Sequence, residues 1–200
     1  DYPNSEYDTE AKEILVSLMA NTNNFADALQ LYESFDKPTA SMQKVYPRIL
    51  YGRAVELVND QQVKRADELF TKVLALPNSS VTPYANFWKG EIAYRNDKLD
   101  DAIKYYNSYV SAGSTTNGEA NPTTGKYNLG YCYLRKENYR AALSFFEQVG
   151  ASAALNSNQL TQDAYLRRAD CHFMLKEYPK AKTMYEDVIK YSWPSEDYAT

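Results

Sequence analysis

FWKGEIAYRNDKLDDAIKYY, residues 87–106, reads as a helix that contains a glycine, then a charged turn, then a second helix that begins with Asp-Asp-Ala. Glycine inside a helix costs about 1 kcal/mol relative to alanine, so its presence needs a reason. Residues 127–146, YNLGYCYLRKENYRAALSFF, repeat the arrangement with different side chains. The chain therefore builds a helical hairpin with an internal glycine at least twice.

An alanine follows a predicted turn five times, at intervals of about 36 to 40 residues. These alanines are Ala28, Ala66, Ala102, Ala142 and Ala181. Apolar or aromatic residues stand three residues before each alanine and four and seven residues after it, as Leu99, Tyr106 and Tyr109 do around Ala102. Side chains at such offsets share one helical face. Each alanine therefore begins the apolar stripe of the second helix of a hairpin.

A small residue stands twelve positions before the alanine in four of the five hairpins. These residues are Ala54, Gly90, Gly130 and Ala169, and Val16 takes the position in the first hairpin. A missing side chain lets the paired helix approach closely, and the packing gained offsets the low helix propensity of glycine. We therefore expect both glycines to lie where the two helices of a hairpin touch.

The pattern predicts an all-α fold in which a single domain spans residues 1–200. The predicted hairpins cover residues 9–38, 47–78, 83–113, 123–150 and 162–194, and residues 195–200 either begin a sixth hairpin or form a cap. We expect residues 111–125 to form a loop and residues 150–163 to extend into helical turns. Because the chain begins at Asp1 and its last residues parallel residues 79–86, we also expect it to belong to a longer array.

These hairpins resemble the tetratricopeptide repeat, which has about 34 residues, a small residue in its first helix and an alanine early in its second. The resemblance implies a right-handed α-solenoid whose concave face is lined by the first helix of each hairpin, helix A. The matching positions here are Tyr51, Phe87, Glu91, Tyr94, Arg95, Tyr127, Tyr131 and Arg135. Tyrosine and arginine are enriched at binding hot spots, so we expect these residues to bind a peptide with acidic and aromatic residues. Alternatively, Glu91 pairs with Arg95, and the two tyrosines of the fourth hairpin only pack against neighbouring helices.

The overall composition is that of a globular protein and limits the classes of partner that it can bind. The chain of 200 residues is 44% hydrophobic and 24% charged, with a net charge of −4 and a pI near 5.2. A general nucleic-acid binder usually carries a basic excess, so we expect no nucleic-acid partner. No apolar run is long enough for a membrane span. Residues 1–20 lack the succession of basic, apolar and small residues that is typical of a signal peptide.

The residues that usually carry catalysis or bind metals are scarce. His172 is the only histidine and falls at a packing position, and Cys132 and Cys171 occupy one position of successive hairpins, where we expect two buried thiols. No phosphate-binding glycine motif and no Cys-x-x-Cys motif occurs. Asp100 and Asp101 begin a helix, where negative charge complements the helix dipole. We therefore predict no enzyme activity, no cofactor and no metal site.

The sequence favours a non-enzymatic scaffold that binds a peptide or protein segment. Two alternatives remain open: a docking arm of a larger enzyme, and a self-associating module in which Trp88 and Trp193 hold copies together. The closing stretch KAKTMYEDVIKYSWPSEDYA, residues 180–199, resembles arrays in bacterial cell-envelope proteins associated with the Tol-Pal system. This resemblance favours the periplasm or cell envelope over the cytoplasm.

Overall fold

The computed structural model describes residues 8–113, 116–118, 120–150, 158–191 and 193. Within these ranges the regular structure consists of ten α-helices, apart from one isolated bridge between Asn117 and Ala120. The helices are α1 Asp8–Asn21, α2 Phe25–Glu33, α3 Ala40–Asn59, α4 Val63–Ala75, α5 Thr82–Arg95, α6 Leu99–Ser111, α7 Pro122–Arg135, α8 Tyr139–Val149, α9 Gln159–Met174 and α10 Tyr178–Lys190. The predicted all-α fold of helix-turn-helix repeats is confirmed: odd-numbered helices are helix A and even-numbered helices are helix B of five hairpins.

The chain divides into two compact units, Asp1–Ile92 and Ala93–Thr200. In the N-terminal unit, buried residues of α1, α2 and α3 form one cluster and those of α3, α4 and α5 form another. The small position is filled there by Val16 and Ala54, both fully buried. Ala28 and Ala66, the helix B alanines, are also fully buried.

In the C-terminal unit the helix B alanines Ala102, Ala142 and Ala181 are again buried, as is Ala169 at the small position of α9. Gly130 shows why a glycine is present. A Cβ built on it would lie 2.7 Å from Cε1 of Phe146 on α8, closer than real Cβ atoms approach a neighbour. The ring of Phe146 is fully buried against this gap, and burial of such a side chain contributes about 1.5–3 kcal/mol. Gly90, in the N-terminal unit, is buried as well.

Each hairpin turn has one residue in the left-handed conformation, always five positions before the helix B alanine. These residues are Asn23, Gln61, Asp97, Glu137 and Lys176, with φ between 57° and 62°. The amide of the next residue donates a bond of 2.8–2.9 Å to a carbonyl five residues earlier, as Lys98 does to Ala93. This arrangement is a Schellman-type helix end, and it satisfies a carbonyl that the end of helix A would leave unpaired.

Two hairpins begin more than one residue earlier than the sequence predicts. Helix α3 begins at Ala40 instead of residue 47, because the Thr39 hydroxyl caps it at the amide of Met42. The buried Met42 side chain anchors the extra turns, and Pro47 lies inside the helix. Helix α9 begins at Gln159 instead of residue 162, because Asn158 caps it. Residues 195–200, predicted to begin a sixth hairpin or form a cap, lie outside the described residues, as do 114–115, 119 and 151–157.

Candidate functional site

A polar cluster joins two helix A segments in the C-terminal unit. Tyr127 and Tyr131 lie one turn apart on α7, with ring centroids 4.9 Å apart. Both hydroxyl groups donate to the same oxygen, Oδ2 of Asp163 on α9, at 2.7 Å and 2.5 Å. One carboxylate therefore fixes the rotamers of two aromatic rings that are only half-buried.

Helix α9 continues the cluster along its own face. Arg167 donates from Nε to Oδ1 of Asp163 at 3.3 Å and from a terminal nitrogen to Oδ2 of Asp170 at 2.6 Å. The hydroxyl of Tyr185 on α10 donates to Oδ1 of Asp170 at 2.8 Å. The Asp163 side chain is 22% exposed and the Asp170 side chain 12%. The cluster thus holds two carboxylates and one guanidinium in a partly desolvated position, where hydrogen bonds to charged groups are strong.

The pKa values of the cluster follow from burial. Burial raises the pKa of Tyr127 to about 12. Burial, strengthened by the hydrogen bond to Asp163, raises the pKa of Tyr131 further. Burial also raises the pKa of Asp170, although the hydrogen bond from Tyr185 and the charge of Arg167 oppose the shift. The tyrosine hydroxyls consequently stay protonated and act as donors throughout the physiological range.

Arg135, at the end of α7, contacts the hairpin formed by α5 and α6. Its guanidinium carbon lies 4.8 Å from the ring centroid of Tyr94, and its terminal nitrogens donate to the Tyr94 carbonyl at 3.3 Å and to the Asp97 carboxylate at 2.7 Å. Arg135 is 41% exposed and Asp97 is 75% exposed, so this ion pair is solvated and contributes little to stability. Arg95, one residue along from Tyr94, is exposed.

The three positions predicted in the N-terminal unit differ from these. Tyr51 is 8% exposed, packs against Phe70 and Tyr84, and accepts a hydrogen bond of 3.3 Å from the indole of Trp88. Phe87 is 1% exposed. Both side chains therefore belong to the interior and do not line an open surface, whereas Glu91 is half-buried.

The tryptophans considered for self-association are packed as well. Trp193 is 4% exposed and lies between Tyr165 and Tyr191, with ring centroids 5.6 Å from both. Trp88 is half-buried and stacks on Phe70. The Trp193 indole therefore belongs to the interior, whereas Trp88 keeps part of its surface exposed.

The geometry of the hairpins agrees with comparisons of the sequence. Models of the tetratricopeptide repeat match residues 51–117, 124–149 and 163–193, which together make up more than half of the chain. The chain belongs to the tetratricopeptide repeat family. The first hairpin of this tetratricopeptide repeat protein, α1 and α2, lies outside the matched ranges, yet it has the same buried alanine and the same left-handed turn residue as the others.

Solved structures of tetratricopeptide repeats share the fold. TPR-like repeats of a putative kinesin light chain from Podosopora anserina superpose with a TM-score of 0.55 at 14% identity, over 92% of this chain and 94% of that chain. A substituted variant of those repeats gives the same TM-score and identity over 98% of this chain and 100% of that chain. No curated protein matches the chain. At this identity the likeness shows the tetratricopeptide fold alone.

The residues considered for chemistry lie in the tetratricopeptide core. His172 is buried, and its Nδ1 is 2.7 Å from a carboxylate oxygen of Glu177. Cys132 and Cys171 are buried, and burial raises the pKa of Cys171 to about 12, which makes it a poor nucleophile. Over the described ranges, His, Cys, Asp and Glu side chains form no group of three able to hold a metal ion. Among the same residues, no helix has the length and apolar character of a membrane span.

Sequence reasoning missed Asp163, Arg167 and Tyr185. Asp163 and Arg167 lie four residues apart on α9, and Asp170 follows three residues later, so all three share a face. This spacing was the available signal. The spacing predicts a stripe of acidic and basic residues on helix A of the fifth hairpin. It does not reveal that two tyrosine hydroxyls of the fourth hairpin donate to Asp163 in this stripe.

Proposed function

We propose that this tetratricopeptide repeat protein is a non-enzymatic scaffold that binds a peptide segment on helix A of its C-terminal unit. The binding surface, called here the helix A surface, consists of Tyr94 and Arg95 on α5, Tyr127, Tyr131 and Arg135 on α7, and Asp163, Arg167 and Asp170 on α9. Tyr51 and Phe87 are left out because their side chains are buried, and Glu91 is left out because it belongs to the N-terminal unit. The bacterial and cell-envelope setting stays a prediction.

The observation that carries the proposal is the continuity of the helix A surface. Arg135 links α7 to Tyr94 of α5, and the Tyr131 hydroxyl links α7 to Asp163 of α9. Half-buried aromatic rings and charged groups therefore follow one another across three successive helix A segments. Because their hydrogen bonds already fix the side-chain rotamers, these side chains would lose little conformational entropy when a ligand binds.

The chemistry of the surface favours a peptide with aromatic and acidic residues. The half-buried tyrosine rings offer apolar area and edges for aromatic contact. The solvated pair between Arg135 and Asp97 is weak, so a carboxylate of the ligand can replace Asp97 as the partner of the guanidinium. Arg95 places a second exposed guanidinium nearby in the sequence.

The test uses selection from a random peptide library displayed on phage, followed by fluorescence anisotropy with the enriched peptides. We expect the enriched sequences to combine aromatic residues with Asp or Glu. The double variant Arg95→Glu/Arg135→Glu should lose at least about tenfold in affinity, which corresponds to about 1.4 kcal/mol.

Arg140→Glu is the matched control, because Arg140 lies exposed on α8, a helix B, and the substitution changes charge by the same amount per residue. Its peptide affinity should equal that of the native chain. Enrichment of basic peptides, or an equal loss of peptide affinity in the Arg140→Glu control, would contradict the assignment of binding to the helix A surface.

A further inference from the structure

Two residues of the third hairpin hold the guanidinium of Arg135. Its carbon lies 4.8 Å from the ring centroid of Tyr94, and Nη1 donates to the Tyr94 carbonyl at 3.3 Å. Nη2 donates to Oδ1 of Asp97 at 2.7 Å. Tyr94 belongs to α5, whereas Asp97 lies in the turn between α5 and α6. If the Asp97 side chain moved away, Tyr94 would still position the guanidinium, and Nη2 would be available to another acceptor.

The hairpin turn does not depend on the carboxylate of Asp97. Asp97 is the left-handed residue of its turn, with φ of 59°. Amide, carboxylate and ammonium side chains occupy the same turn position in the other hairpins, namely those of Asn23, Gln61, Glu137 and Lys176. The backbone bond that closes the turn is 2.8–2.9 Å long in all five hairpins. An uncharged side chain at position 97 is therefore compatible with the same turn.

The position of Arg135 is exposed in every hairpin. This position lies seven residues before the helix B alanine and is occupied by Asn21, Asn59, Arg95, Arg135 and Met174. Only the third and fourth hairpins combine an acidic residue in the turn with a basic residue at this position of the next hairpin. The ion pair is thus not part of the repeat pattern. Because the Asp97 side chain is 75% exposed, water competes for both partners and the pair opens readily.

We propose that Asp97 occupies the subsite of the helix A surface that receives an acidic side chain of the bound peptide, and that it acts there as an internal competitor. The peptide carboxylate displaces Asp97 and accepts the bond from Nη2 of Arg135, while Tyr94 keeps the guanidinium in place. A carboxylate is the preferred partner of a guanidinium, since hydrogen bonds between charged groups are roughly twice as strong as those between neutral ones. The inference rests on the proposed function, because it concerns the same surface, and it adds that Asp97 lowers the affinity of that surface.

Fluorescence anisotropy with the acidic peptide most strongly enriched from the phage library tests the proposal. Asp97→Asn should bind this peptide about threefold more tightly than the native chain does, a modest gain because exposed ion pairs are weak. Asp97→Gln, which introduces the residue type of the second hairpin at this turn position, should show the same gain. Both variants should keep the native melting temperature, since the turn position accepts amide side chains in other hairpins.

Asp101→Asn is the matched control, because Asp101 is exposed on α6 and the substitution removes one negative charge from the same hairpin. Its affinity for the acidic peptide should equal that of the native chain. In an Arg135→Gln background, Asp97→Asn should bring no gain, because the competitor acts only through the guanidinium.

The outcomes separate this inference from the proposed function. An affinity of Asp97→Asn no higher than that of the native chain would overturn the inference, as would an equal gain in Asp101→Asn or in the Arg135→Gln background. Loss of binding in Arg95→Glu/Arg135→Glu would still support the proposed function in those cases. A library that yields no acidic peptide would overturn both.

Discussion

Replacement of Asp163 by alanine tests whether the polar cluster holds α7 against α9. The substitution removes the acceptor of two tyrosine hydroxyls at 2.7 Å and 2.5 Å and of the longer bond of 3.3 Å from Arg167, whereas Arg167 keeps its bond of 2.6 Å to Asp170. A hydrogen bond to a charged group contributes about 1.5–3 kcal/mol. Because Asp163 is 22% exposed and water reaches the freed hydroxyls, we take the lower value for each. The unfolding free energy should fall by about 3 kcal/mol.

Urea unfolding followed by circular dichroism measures this loss, and a double-mutant cycle with Tyr131→Phe isolates one bond. Tyr131→Phe alone should cost about 1.5 kcal/mol, and the coupling energy with Asp163→Ala should be of the same size. Glu147→Ala, which removes an exposed carboxylate from α8, is the control and should stay within about 0.5 kcal/mol of the native chain. Additive effects of the two substitutions, or a cost of Asp163→Ala no larger than that of the control, would refute the reasoning.

Three further predictions concern packing, turns and pH. Gly130→Ala should lower the unfolding free energy by about 1 kcal/mol, because crowding against Phe146 costs about 1–3 kcal/mol and the higher helix propensity of alanine offsets about 1 kcal/mol of that cost. The urea midpoint measures the loss, and an unchanged midpoint would show that the Phe146 ring moves aside without cost. Glu137→Gly and Lys176→Gly should each raise the melting temperature, because glycine relieves about 1 kcal/mol of left-handed strain, and a fall would show that unfolded-state entropy dominates. The folded pKa of Tyr127 lies near 12, above the ordinary value of 10.0, so its stabilising contribution should be complete below pH 10 and disappear as pH rises through about 12. Absorbance titration should show this tyrosine ionising later in the native chain than in Asp163→Ala.

The hairpins were predictable because one periodic signal repeats five times. Buried alanines and small residues recur at fixed positions, and a face that must be buried in every hairpin leaves the same mark on each. Helix ends depend on single caps instead. The sequence predicts that the second hairpin begins at residue 47, but the Thr39 cap and the buried Met42 side chain extend α3 to Ala40.

The candidate site was only partly predictable, because exposure and pairing depend on neighbouring helices. Tyr51 and Tyr127 occupy the same position of their hairpins, yet Tyr51 is buried and Tyr127 is half-buried. The partner of Tyr127 is Asp163, 36 residues away along the chain, and sequence periodicity carries no information on such a pair.

The bond that closes each hairpin turn provides a local probe of opening. One backbone amide per hairpin makes it, namely those of Asn24, Gln62, Lys98, Asn138 and Glu177. In a linear array, stability is close to a sum of local contributions, so each amide exchanges its proton for deuterium at a rate set by its own hairpin and the adjacent ones. A bound partner then leaves a footprint of slowed exchange that locates it along the chain one hairpin at a time.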